Sequence, residues 1–194
     1  MRIASEARDT AETKINLDLN LDGSGKSKIE TGIPFFDHML TLFSRHSLID
    51  LNVSVDGDID VDFHHTVEDT GIVLGNCIRE ALGNKHGISR YGHAYLPMDE
   101  TLSRVVIDLS NRPHLEFRHP ENTPDAQNFP FTLMEEFFRA VTCNLRANIH
   151  AEVLYGRDGH HIAESLFKGL ARATRVAITV DPRVQGVPST KEVL

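Results

Sequence analysis

Along residues 13–21, apolar Ile15, Leu17, Leu19 and Leu21 alternate with polar Asn16, Asp18 and Asn20. That period of two predicts a half-buried strand. Asp22-Gly23-Ser24-Gly25 reads as a hairpin turn into a second strand near 26–31. Phe35, Phe36, Met39, Leu40 and Phe43 then recur at helical spacing behind Pro34, which suits a first helical turn. A strand follows near 48–55. Val67, Leu74, Ile78 and Leu82 predict a helix over 66–82, closed by Gly83-Asn84.

The second half repeats this plan. Strands are expected at 104–109 and, after the turn Asn111-Arg112-Pro113, at 114–118. Residues 120–130, rich in Pro, Asn and Asp, read as a loop. Leu133, Met134, Phe137, Phe138 and Val141 make a helix face, 147–154 a strand, and a last helix runs from His160 to about Ile178. His64 and His160, Glu68 and Glu164, and Pro34 and Pro130 all lie 96 residues apart, so the chain is internally duplicated. Each half reads β-β-α-β-α. The expected class is α+β: two antiparallel sheets, each covered on one face by helices. The repeats, 1–92 and 93–194, are expected to form one compact unit.

Charge and composition narrow the partners. With 28 acidic against 20 basic residues, the formal charge of −8 argues against nucleic acid, whose binders need a basic footprint. It leaves room for a small anion, because a few local cations override the global sign. No apolar run approaches the roughly 20 residues of a membrane helix. The first residues lack the apolar core of a signal peptide. Cys77 and Cys143 read as reduced thiols of a cytoplasmic protein. Gly25-Lys26-Ser27 is not a phosphate loop, since Asn20 stands where that pattern needs glycine.

The unusual feature is eleven histidines, four of them in two adjacent pairs. In His64-His65-x-x-Glu68 the glutamate shares a helix face with a histidine. Adjacent helical residues diverge by about 100°, so the two imidazoles of a pair reach different ions more readily than one. A single pair is more often a surface feature. Recurrence of the whole pattern as His160-His161-x-x-Glu164 points to two divalent metals, each drawing ligands from both repeats.

The motifs Asp37-His38-Met39-Leu40, Asp62-x-His64-His65-Thr66-Val67-Glu68-Asp69, Pro97-Met98-Asp99-Glu100, Gly159-His160-His161-x-x-Glu164-x-x-Phe167-Lys168 and Pro188-Ser189-Thr190-Lys191 resemble the imidazoleglycerol-phosphate dehydratases of histidine biosynthesis. The likeness covers nearly the whole chain. Departures are small: Glu192 follows Lys191 where glycine is common, and Asp158 stands where asparagine often does.

The resemblance implies a duplicated fold like the second domain of ribosomal protein S5. It also implies two metal ions per active site, usually Mn²⁺, and sites formed between subunits of a 24-subunit shell. It makes His38, His64, His65, Glu68, His150, His160, His161 and Glu164 the ligands; alone, His38 and His150 read as ordinary polar histidines. The substrate would be a phosphorylated imidazole, losing water to give imidazole acetol phosphate, a hydro-lyase reaction. Because no carbonyl acidifies the departing hydrogen, the ring must drive the elimination. The segment Thr10-Ala11-Glu12-Thr13 resembles the family's acid/base motif, making Glu12 the candidate for proton transfer. Arg90, Arg112, Ser189 and Lys191, with Lys168 as a weaker member, match its phosphate cradle. The residues alone leave two rivals, a dinuclear metal hydrolase and a non-catalytic shell assembled by metal.

Overall fold

The structure, a computed structural model, describes residues 1–191 and 193–194; Glu192 lies outside the described residues. The first half comprises β1 (Ile3–Asp9), β2 (Thr13–Asn20), β3 (Ser27–Glu30), α1 (Pro34–Ser47), β4 (Asp50–Gly57) and α2 (His64–Leu82). The second comprises β5 (Tyr91–Met98), β6 (Thr101–Asp108), β7 (His114–Arg118), α3 (Thr132–Leu145), β8 (Asn148–Tyr155) and α4 (Gly159–Ile178).

Each half is therefore β-β-β-α-β-α, one strand more than the apolar pattern predicts. The extra strands hide for different reasons. β1 is an edge strand with a single buried residue, Ala4, so it has almost no apolar face to alternate. In β5 the outward positions are the bulky ones, Tyr91, His93 and Tyr95, while Gly92 and Ala94 face inward. A Cβ on Gly92 would sit 1.9 Å from the Ala173 carbonyl oxygen, so glycine is what lets α4 lie against this strand.

The sheets run β1-β2-β4-β3 and β5-β6-β8-β7. They are mixed, not antiparallel as expected: β3 pairs parallel with β4, and β7 with β8. The reason is connectivity. A helix, α1 or α3, joins each of these neighbouring strands and returns the chain to its starting end, which dictates parallel pairing. The Asp22–Gly25 segment is likewise a crossing rather than a hairpin turn, because β4 lies between β2 and β3. Asp50, at the start of β4, anchors that crossing by accepting from the backbone N–H of Ser24 (2.8 Å) and Lys26 (2.9 Å).

Helices α1 and α2 cover one face of the first sheet, α3 and α4 one face of the second, and the layers meet through α1–α4 and α2–α3 contacts. One continuous core results. Phe137 of α3 stands between Phe36 of α1 (ring centroids 5.4 Å) and Phe167 of α4 (5.0 Å), joining the two halves. On α2, Gly75 lets α3 come close: a Cβ there would lie 2.8 Å from the Val141 carbonyl oxygen. Among the described residues no helix is long and apolar enough to cross a membrane.

Candidate metal centre and anion cleft

Both His-His pairs stand at helix starts, each with an aspartate two residues before the first histidine, although only α4 has a side-chain cap. The carboxylate of Asp158 caps α4, accepting from the backbone N–H of His160 (2.8 Å) and His161 (3.2 Å). Asp62 accepts from the His64 N–H (2.7 Å) at the start of α2. Free N–H groups of a first turn are satisfied this way, which pins the pair to the helix start. The imidazoles then diverge as helical geometry requires. The rings of His64 and His65 stand 6.0 Å apart at 85°, those of His160 and His161 6.3 Å apart at 90°.

The first histidine of each pair meets the glutamate one turn on. His64 Nε2 lies 3.4 Å from Glu68 Oε2, and His160 Nε2 lies 3.0 Å from Glu164 Oε1. In the second repeat His38 joins them. The packing of α1 on α4 brings its Nε2 to 2.9 Å from the same Glu164 oxygen. Asp37 fixes this end of α1 by accepting from the N–H (2.8 Å) and hydroxyl (2.6 Å) of Thr31. Donor atoms of His38, His160 and Glu164 all lie within 4.8 Å of one another. Two imidazole nitrogens and a carboxylate oxygen suit a divalent transition metal, so the donor set fits such an ion.

Glu164 is only 8% exposed. Burial disfavours its charge, but Lys168, His38 and His160 outweigh that and bring its pKa down to about 2. The Lys168 ammonium takes the other oxygen, Oε2.

The second histidine of each pair is held on its far side. His65 Nδ1 lies 2.9 Å from Asp58 Oδ2, and His161 Nδ1 lies 2.7 Å from Glu100 Oε2. These contacts raise both histidines above their ordinary range. Glu100 is held down to about 2, chiefly by His161; desolvation opposes this, and the backbone N–H groups of Arg157 (3.2 Å) and Asp158 (3.0 Å) add to the lowering. Neither Asp58 nor Glu100 was a sequence candidate. Glu100 stands inside the Pro97–Glu100 motif, which gave a signal without a role. Nothing in the spacing separates Asp58 from Asp56 or Asp60.

Glu12 sits on the β1–β2 turn, 54% exposed, with Oε1 3.6 Å from His65 Nε2. Thr13 beside it hydrogen-bonds through its hydroxyl to buried Asp69, which also pairs with Arg8 (2.9 Å). His150 lies apart, on the exposed face of β8 against His114 (ring centroids 5.8 Å).

Arg90, Arg112, Ser189 and Lys191 line one cleft of about 880 Å³. Arg90 is pinned there, donating to Asp108 through Nε (2.7 Å) and to the Pro188 carbonyl (2.8 Å). Lys168 is not in this cleft. It contacts Met98 (3.6 Å), at the opposite end of β5 from Tyr91, which lines the cleft. An eight-residue strand spans about 25 Å, so cleft and imidazole cluster are separated by that order of distance within one chain.

The duplicated sheets, the cluster of His38, His160 and Glu164 and the matching His64–Glu68 couple define a class: α+β chains with a candidate metal centre at a repeated helix start. Comparison with known proteins narrows it. The sequence model of the imidazoleglycerol-phosphate dehydratases matches residues 31–174, and the chain belongs to that family. It is 64% identical over 196 residues to the imidazoleglycerol-phosphate dehydratase of Akkermansia muciniphila, covering 100% of each chain. It is 55% identical to that of Listeria welshimeri, again over 100% of each. The crystal structure of the Staphylococcus aureus enzyme superposes with a TM-score of 0.83 at 40% identity, covering 92% of this chain and 99% of that one. The Pyrococcus furiosus enzyme, in complex with (S)-C348, gives 0.82 at 38%, covering 97% and 100%.

Proposed function

We propose that this chain is a hydro-lyase of histidine biosynthesis, eliminating water from imidazoleglycerol phosphate to give imidazole acetol phosphate. The observation that carries the reading is the convergence of His38, His160 and Glu164 on one point, on a helix start that the first repeat copies with His64 and Glu68. Two divalent ions per active site, Mn²⁺ by family likeness, would be held by His38, His64, His65, Glu68, His150, His160, His161 and Glu164. When bound, such ions polarise the azole ring so that its electrons favour loss of the adjacent hydroxyl.

The rest falls to the chain's own side chains. Glu12, half-exposed beside His65, takes the proton from the carbon next to the one losing its hydroxyl. The C–H and C–O bonds break, a carbon–carbon double bond forms, and the hydroxyl leaves as water carrying the equivalent of the proton that Glu12 removed, so no net proton is gained or lost. The enol then becomes the ketone. Arg90, Arg112, Ser189 and Lys191 hold the phosphate, with Asp108 and the Pro188 carbonyl orienting the Arg90 fork.

A small substrate cannot bridge about 25 Å. The cleft of one subunit must therefore meet the imidazole cluster of another. That supports active sites shared between subunits and a large homo-oligomer, with the 24-subunit shell as its form. Outward-facing His150 would complete a neighbour's centre, and Lys168 would reach the phosphate from a different subunit than the cleft residues do. The free thiols Cys77 and Cys143 fit a reducing, cytoplasmic setting.

Incubating the protein and Mn²⁺ with imidazoleglycerol phosphate tests the reading. Metal-dependent formation of imidazole acetol phosphate is expected. Release of inorganic phosphate would instead indicate a dinuclear hydrolase, and no turnover despite tight metal binding a structural shell.

A further inference from the structure

Asp58 and Glu100 occupy unrelated places in the two repeats, yet they make the same contact. Asp58 immediately follows Gly57, the last residue of β4, and Glu100 lies in the β5–β6 turn. Each presents a carboxylate oxygen to Nδ1 of the second histidine of a pair, at 2.9 and 2.7 Å. An ionised carboxylate only accepts hydrogen bonds, so Nδ1 donates and carries the proton in both rings. The lone pair then belongs to Nε2. In His65 that atom faces Glu12 Oε1 at 3.6 Å, and in His161 it faces Asp99 Oδ2 at 3.8 Å.

Neither carboxylate is placed by chance rotation. Glu100 is gripped by the N–H groups of Arg157 and Asp158 and by the Thr101 hydroxyl (3.1 Å). Asp58 is tied through its own N–H to the Glu12 carbonyl (3.1 Å), and its second oxygen, Oδ1, is buried with no hydrogen-bond partner. Leaving half a carboxylate desolvated is destabilising, which folding alone gives no reason to retain.

We propose that Asp58 and Glu100 are positioning residues: each fixes the tautomer and ring orientation of one histidine, His65 or His161, so that Nε2 is offered to a divalent metal. The inference rests on the metal-site reading above and adds to it two groups that touch neither metal nor substrate. Outer carboxylates of this kind typically contribute 10–100-fold in metal affinity.

The test is Mn²⁺ titration of the full-length protein and of Asp58→Asn and Glu100→Gln, with melting temperatures measured without and with metal. His65→Ala and His161→Ala serve as controls. We expect metal affinity to fall roughly 10–100-fold in the carboxylate variants, with metal-free melting near the parent's and a smaller metal-induced rise. Wild-type affinity in both, while the histidine variants lose metal, would overturn the inference and leave the metal site standing. Wild-type affinity in the histidine variants too would remove the metal-site reading itself. Should the amide variants fail to fold, neutron diffraction of the Mn²⁺-loaded parent decides: deuterium on Nδ1 of both rings supports the proposal, and deuterium on Nε2 contradicts it.

Discussion

The two hairpins that overhang the histidine pairs occupy equivalent places in the repeats but hold their glutamates differently. Glu100, in the β5–β6 turn, is bound to an imidazole, two backbone N–H groups and a hydroxyl, and stays ionised well below the ordinary range. Glu12, in the β1–β2 turn, is half exposed, with its carboxylate 3.6 Å from His65 Nε2. The holding task that Glu100 performs in the second repeat falls in the first to Asp58. Each hairpin thus carries a glutamate, and because Asp58 holds His65, the first-repeat glutamate is left without a holding contact, as the proposed proton transfer requires. A locked carboxylate is a poor base, while a loosely held one can exchange protons during turnover.

That contrast breaks most readily at Glu12. Glu12→Gln should lower kcat by roughly 10²–10⁴-fold with metal content unchanged; a near-normal kcat would remove Glu12 from the chemistry. At the far end of the second sheet, Arg90→Ala should raise KM roughly 10–100-fold without altering metal content, and an unchanged KM would dissolve the phosphate cradle. Asp69 holds the Glu12 turn through Thr13 and Arg8. Asp69→Asn should therefore cut kcat by about tenfold, within the 10² that a misplacement of about 1 Å can cost, while Mn²⁺ affinity holds. The same position in the second repeat is Ser165, paired with Ser103 under the locked hairpin. Ser165→Ala should cost about 1 kcal/mol of stability in a denaturant titration and leave kcat alone. A large kcat loss there would show that the hairpins have not divided their roles.

The duplicated helices and the His-His-x-x-Glu pattern were legible because both are local: their periods and spacings lie within one turn or one element. Glu68 and Glu164 stand beside His64 and His160 for that reason. The parallel pairs are not legible in alternation, because strand direction depends on how α1 and α3 return the chain. β1 and β5 leave no alternating signal, because an edge strand and a strand tight against a helix lack an apolar inner face. His38 reaches Glu164 across 126 residues only through the packing of α1 on α4. Its place beside the cluster is a tertiary fact, which the sequence suggested by family likeness alone. Asp58 had no signal at all among its acidic neighbours.

Anomalous diffraction at the manganese edge from crystals of the Mn²⁺-loaded protein bears most directly on the central claim, that the twin histidine pairs jointly hold two cations. The account predicts two peaks for each chain in the assembly. One should lie within about 2.2 Å of Nε2 of His160 and His38 and the Glu164 carboxylate. The other should be shared with the His64–Glu68 couple. Fully loaded crystals with both couples bare and manganese elsewhere would contradict it.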